Sequence, residues 1–169
     1  MAKGLRIAFM TIICLMVPAV TQGQVESLTV TVDGLACPFC AYGIEKKLKK
    51  VAGVKAVTVS MQKGTVSLTA KARQSINYSQ IPAAVLDSGF TPRTMRVVVS
   101  GTVTPDEKQN LHLQWDSKSL MLNAVEGDIR ERLLSLAGTG GAVKVHGIIR
   151  EKGAATWTLA TETVEEVRQ

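Results

Sequence analysis

The sequence predicts an α+β protein in two parts, and three observations carry that prediction. Between residues 25 and 96 the hydrophobic pattern switches period in the order β-α-β-β-α-β. Between residues 97 and 169 it predicts short strands interrupted by a single helix. The charge changes sign between the two parts. Residues 24–100 carry ten Lys and Arg against four acids, net +6, whereas residues 101–169 carry eight against ten, net −2.

The chain of 169 residues opens with a segment that does not look like fold material. Lys3 and Arg6 precede an uncharged, mostly apolar run of 14 residues, Ile7 to Val20, and small residues follow near Gly23. That is the layout of a secretory signal peptide over residues 1–23. A membrane span would need about 20 apolar residues. The expectation is therefore a periplasmic or secreted protein with no stable membrane insertion after cleavage, and an uncleaved N-terminal anchor is the alternative. Cleavage removes Lys3, Arg6 and Cys14 and leaves 18 basic against 14 acidic residues, net +4. Two cysteines remain, Cys37 and Cys40.

Each element of the first part has a local reason. In "VESLTVTV" (25–32), Leu28, Val30 and Val32 alternate with Thr29 and Thr31, the pattern of a half-buried strand. Residues 38–51 place Ile44, Leu48 and Val51 on one helical face, with four lysines on the rest. "VKAVTVSM" (54–61) directs Val57, Val59 and Met61 inward; "QKG" turns the chain and "TVSLTA" (65–70) returns, a hairpin. "YSQIPAAVLDSG" (78–89) is a second helix with Pro82 tolerated in its first turn. A last strand begins near Phe90 and Thr91. The order is that of the ferredoxin-like split βαβ sandwich, both helices on one face of a four-stranded sheet.

In the second part, "TMRVVVSGTVT" (94–104) reads as a long strand, and "NLHLQW" (110–115) and "SLMLNAV" (119–125) as short ones. "GDIRERLLSLAG" (127–138) is a helix with Ile129, Leu133 and Leu136 inward and Gly138 at its end, and two strands follow. Strands in this order around one helix suggest a small OB-like β-barrel over residues 97–169. Trp115 and Trp157 are expected to anchor it, and His112, His146, Met61, Met95 and Met121 to serve packing or the surface rather than to bind metal. A net charge of −2 and few aromatic residues argue against nucleic-acid binding, which needs a basic groove with stacking side chains. No Ser/His/Asp pattern, paired-carboxylate site or phosphate-cradling loop suggests an enzyme.

The chemistry concentrates in "GLACPFCAYGIEKKLKKVAGV" (34–54). A disulfide between residues three apart closes a tiny loop and gains little entropy. Thiols at the start of a helix are acidified by free N–H groups and the helix dipole. Two thiolates without harder neighbours suit a two-coordinate soft ion, Cu(I) or Hg(II), better than Zn(II), which takes four ligands. The same spacing also occurs in thiol–disulfide exchange proteins, although the hairpin directly after the first helix contradicts their topology. The lysine run reads as a solvated helix face or as a docking surface.

This stretch resembles the heavy-metal-associated domain family, in which a G-M-x-C-x-x-C motif precedes a helix, a Gly-Val pair and alternating valines. The matching residues are Gly34, Cys37, Cys40, Ile44, Leu48, Gly53, Val54, Val57, Val59 and Phe90. Leu35 stands where the family usually has Met. The family includes copper chaperones, modules of metal-pumping ATPases and the periplasmic mercury-binding protein. The resemblance implies a non-enzymatic protein that binds a metal ion through Cys37 and Cys40. It also implies exchange of that ion with a donor or acceptor such as a membrane metal transporter.

Overall fold

The computed structural model describes residues 23–123, 127–153 and 156–167. The expected leader lies outside the described residues except for Gly23. Among the described residues, eight strands and three α-helices follow in the order β1 (Gln24–Asp33), α1 (Pro38–Leu48), β2 (Val54–Ser60), β3 (Thr65–Ala70), α2 (Ile81–Leu86), β4 (Thr91–Pro105), β5 (Leu111–Trp115), β6 (Lys118–Asn123), α3 (Asp128–Thr139), β7 (Ala142–Glu151) and β8 (Trp157–Glu166). A 3-10 turn over Tyr78–Gln80 leads into α2.

The first four strands form an antiparallel sheet in the order β2-β3-β1-β4. Leu28, Val30 and Val32 of β1 share a face with Met95 and Val97 of β4 through the pairs Val30–Met95 and Leu28–Val97. All five are buried, together with Ile44 and Leu48 of α1 and Ile81 and Val85 of α2. The other face is polar and half-open: Thr29 Oγ1 lies 3.1 Å from Ser67 Oγ, and Arg96 is exposed. The alternation that predicts β1 is therefore the alternation between helix-covered and open faces. Met61, expected inward, lies past the end of β2 and is 45% exposed.

Residues of β4 from Met95 to Ser100 pair with β1 on one edge and with β7 on the other. From there β4 continues into pairing with β5, through Thr102–Gln114 to Pro105–Leu111. β5 pairs with β6, β6 runs parallel to β8, and β8 pairs with β7, which closes back onto β4. The second part is thus strand-rich and barrel-like, with Val99, Val103, Leu113, Leu120, Leu122, Val145 and Leu159 buried. Where β4 leaves the first sheet for β5, Gly101 is squeezed against the carbonyl of Gln114, and a Cβ there would collide with that oxygen. The helix α3 runs one residue beyond Gly138 and ends at Gly140, whose φ of +65° is the left-handed cap.

Position 96 lies inside β4, so the end of the first part and the start of the second share one continuous strand. Further contacts join the two parts. Ser75 Oγ, in the loop after β3, accepts the Val25 backbone N–H at 3.0 Å and the Trp115 indole N–H at 3.2 Å. Tyr78 packs edge-on against Trp157 with ring centroids 5.4 Å apart. Lys144 pairs with Glu26 at 2.9 Å. The two tryptophans, expected to anchor the barrel, lie on barrel strands, pack with the core and also contact the first part.

Candidate metal site

The stretch between β1 and α1 is shaped residue by residue. β1 ends at Asp33, and Gly34 then adopts φ +86°, a left-handed conformation that favours glycine. Leu35, which stands where the family usually has Met, is buried. Cys37 is extended (φ −132°, ψ 145°) and caps α1: its Sγ accepts the Cys40 backbone N–H at 3.2 Å. Pro38 occupies the first helical turn, where no donor is lost. There is no acidic side chain in that turn. The sulfurs therefore face a helix N-terminus whose partial positive charge no carboxylate offsets, which favours a thiolate over a thiol.

Cys37 and Cys40 are joined in a disulfide with Cα atoms 5.2 Å apart. The acidic thiols expected from the sequence are the reduced state of this pair, and here the pair is oxidised. Both residues are half-buried at the surface of the molecule. Phe39, between them, is 90% exposed and Tyr42 on the next turn is 67% exposed. Such exposure of aromatic side chains has no packing benefit, and it rims the sulfurs with apolar surface.

The nearest acid in sequence, Asp33, is already engaged: Arg93 Nε donates to Asp33 Oδ2 at 2.6 Å, and its other nitrogen lies 2.5 Å away. Among the described residues no group of three or more His, Cys, Asp and Glu side chains is placed to hold a metal ion. An ion at this loop would thus receive two sulfurs and no harder side chain from the described residues. Phe90, from the loop between α2 and β4, lies against Gly34, its Cδ1 being 3.6 Å from where a Cβ would stand. The lysine run divides. Lys49 pairs with Glu45 at 2.5 Å and Lys47 donates to the Asp87 carbonyl, while Lys46 and Lys50 are exposed.

This geometry agrees with a direct comparison: residues 29–91 match the heavy-metal-associated domain. Residues 29–91 form a heavy-metal-associated domain. Its ferredoxin-like order is the one traced above, with the cysteine loop between its first strand and first helix. Over 96 residues the chain is 28% identical to copper-transporting ATPase 1 of Rhizobium meliloti (strain 1021). The aligned stretch is 56% of this chain and 11% of that protein, so the chain spans about a tenth of the curated relative's length. Among solved structures, a putative copper-ion-binding protein from Bacillus anthracis str. Ames is 32% identical, with a TM-score of 0.36, over 40% of this chain and 94% of that one. Oxidized MerP from Ralstonia metallidurans CH34 is 24% identical, with a TM-score of 0.36, over 42% of this chain and 94% of that one.

Sequence reasoning singles out both cysteines, and the structure brings them together. It does not single out Ser75, which lies in a polar loop with no periodicity. Nor does it foresee that His112, Asp106 and Ser119 come within reach of one another on the barrel: His112 Nε2 lies 3.4 Å from Asp106 Oδ2, and His112 Nδ1 lies 3.4 Å from Ser119 Oγ. No helix among the described residues is long and apolar enough to cross a membrane.

Proposed function

We propose that this chain is an exported, non-enzymatic carrier that captures a soft metal ion, Cu(I) or Hg(II), through Cys37 and Cys40 and passes it on. The observation that carries the reading is the site itself. Two half-exposed sulfurs sit at an uncompensated helix N-terminus, with no cluster of three or more metal-ligating side chains among the described residues. A two-coordinate sulfur site suits a thiophilic d10 ion, whereas Zn(II) would lack two ligands. It also leaves the ion open to a partner's sulfur.

Loading starts from the reduced pair. A thiol reductant supplies two electrons and two protons to the Cys37–Cys40 bond, and the two thiols formed release their protons as they bind the ion. In transfer, a partner thiol loses its proton and attacks the ion. A three-sulfur intermediate forms, and one of the original cysteines leaves and regains a proton. The exposed Phe39 and Tyr42, with Lys46 farther along α1 and Lys50 just past its end, offer the partner a contact surface around that exchange. The similarity to a copper-transporting ATPase supports a membrane metal transporter as donor or acceptor. The charged start and short apolar run of residues 1–23 support export to a periplasm or outside the cell. The strand order of residues 97–169 supports reading them as an OB-like barrel beside the metal domain at 25–96, the two joined through β4.

The test is chelator competition on the reduced mature protein. Cys37→Ser and Cys40→Ser should each lose tight Cu(I) or Hg(II) binding, and normal affinity in both would end the proposal. The bonded state of the pair favours one second reading, a thiol–disulfide exchange protein using the same cysteines. Its reduction potential and its activity toward a disulfide substrate separate the two readings. The hairpin that follows α1 argues for the carrier.

A further inference from the structure

The barrel carries a second pair of side chains with soft-metal chemistry, distant in sequence from the cysteines. β5 and β6 are joined by the two-residue turn Asp116–Ser117, with Asp116 at φ +49°. That turn fixes a register in which His112 stands directly opposite Met121. Directly opposed residues of an antiparallel pair have Cβ atoms roughly 4.5–5.5 Å apart. Both side chains are half-buried on the outer face, because their neighbours Leu111, Leu113, Leu120 and Leu122 fill the interior.

The surroundings of His112 orient its ring. The Asp106 carboxylate accepts from the backbone N–H of Lys108 and of Asn110, and from the Asn110 side chain, each at 2.8 Å. Asp106 is therefore a fixed acceptor. Its Oδ2 faces His112 Nε2 at 3.4 Å, and a carboxylate can only accept, so this contact favours the tautomer with its proton on Nε2. In that tautomer the lone pair is on Nδ1, which accepts from the Ser119 hydroxyl at 3.4 Å on the strand that carries Met121. A carboxylate behind a histidine is the arrangement that orients imidazole ligands in metal sites, and here the second ring nitrogen is directed at the neighbouring strand, where an ion would displace the Ser119 hydroxyl from it. Met121 has three rotatable bonds and a polarisable sulfur, so it can swing to share an ion with that nitrogen.

We propose that His112 and Met121 form a second soft-cation site on the barrel. It takes Cu(I) or Ag(I) between imidazole Nδ1 and the thioether sulfur, with Asp106 as the positioning residue. Imidazole and thioether together suit a monovalent soft ion. Neither donor is a thiol, so the site stays competent when the Cys37–Cys40 pair is oxidised. It offers the exported protein a holding place that needs no reductant, and it does not depend on the thiol reading.

The experiment uses the full mature chain carrying Cys37→Ser and Cys40→Ser together, titrated with Ag(I) while ring and methyl NMR signals are followed. One equivalent should bind, shifting the His112 ring and Met121 methyl resonances. His112→Ala and Met121→Leu should each weaken binding at least tenfold, and Met61→Leu should leave it unchanged. Asp106→Asn should weaken it less than His112→Ala while the Met121 methyl still shifts. Circular dichroism of each variant checks that the fold persists. The proposal falls if the double cysteine variant binds no Ag(I), or binds it equally well without His112 and Met121. If the reduced wild-type protein instead binds only as the double variant does, the thiol reading falls and this one stands.

Discussion

Replacing Ser75 with Ala should destabilise both parts of the molecule at once. The hydroxyl accepts two donors, the backbone N–H of Val25 and the indole N–H of Trp115. Val25 is fully buried and Trp115 is 3% exposed, so neither donor has ready access to water when the hydroxyl is removed. An unsatisfied buried donor costs about 1–3 kcal/mol, which puts the pair at roughly 2–6 kcal/mol. Ser75 itself is half-buried. Water entering beside the new Ala would meet part of the demand, so the expected loss lies near the lower end, about 2–3 kcal/mol. For a domain of this size 1 kcal/mol moves Tm by about 2–4 °C, which predicts a drop of roughly 4–12 °C. The assay is differential scanning calorimetry of the mature chain, backed by urea unfolding. Because β4 belongs to both parts, a single transition should move as a whole. Trp115→Phe removes one donor with its demand and should cost less than Ser75→Ala. In the Ser75→Ala background it should cost less again, because the indole donor is already unpaired there. A Ser75→Ala change within 0.5 kcal/mol of wild type, or two transitions of which only one moves, would refute this reasoning.

Three further outcomes follow from the same contacts. Gly101→Ala drives a methyl into the Gln114 carbonyl where β4 bends into the barrel, and it should cost about 1–3 kcal/mol by urea unfolding; a neutral result would mean that β4 can shift freely there. The oxidised protein should lose tight Cu(I) or Hg(II) binding at the cysteines and regain it on reduction, seen as thiolate–metal charge-transfer absorption. Identical absorption in both states would contradict a thiolate site. Hydrogen bonds from Asn110 hold the Asp106 carboxyl down at about 2, against an ordinary value of 3.8. Its contribution is therefore complete above pH 4 and lost as the pH falls toward 2. Amide exchange at Lys108 and Asn110 should rise in that window, and a rise centred above pH 4 would show that the carboxylate does not hold the turn.

What was legible in the sequence is what depends on local period. Leu28, Val30 and Val32 alternate because one face of β1 meets the helices, and the alternation survives in the burial of each residue. Ile44 and Leu48 sit four apart because one face of α1 meets the sheet. The cysteines were legible because both ligands lie on one loop, so no long-range contact was needed to bring them together. The rest depends on register and closure, which no local pattern encodes. Trp115 meets Ser75 across 40 residues of sequence. A tryptophan in an alternating run shows only that it is buried, not against which part of the chain. Even the oxidation state of Cys37 and Cys40 is a property of the surroundings rather than of the residues.

The pairing of His112 with Met121 shows why register matters most for function. A slip of one residue in β5 would turn His112 into the barrel and Leu113 out to solvent. The two-residue turn at Asp116–Ser117 forbids that slip, and the interior leucines penalise it. Lengthening the turn by one glycine is therefore a sharp probe. If the leucines hold the register, the extra residue should bulge at the turn and leave the His112–Met121 cross-strand NMR contacts in place. If the turn alone sets the register, those contacts should vanish along with any Ag(I) binding that depends on them.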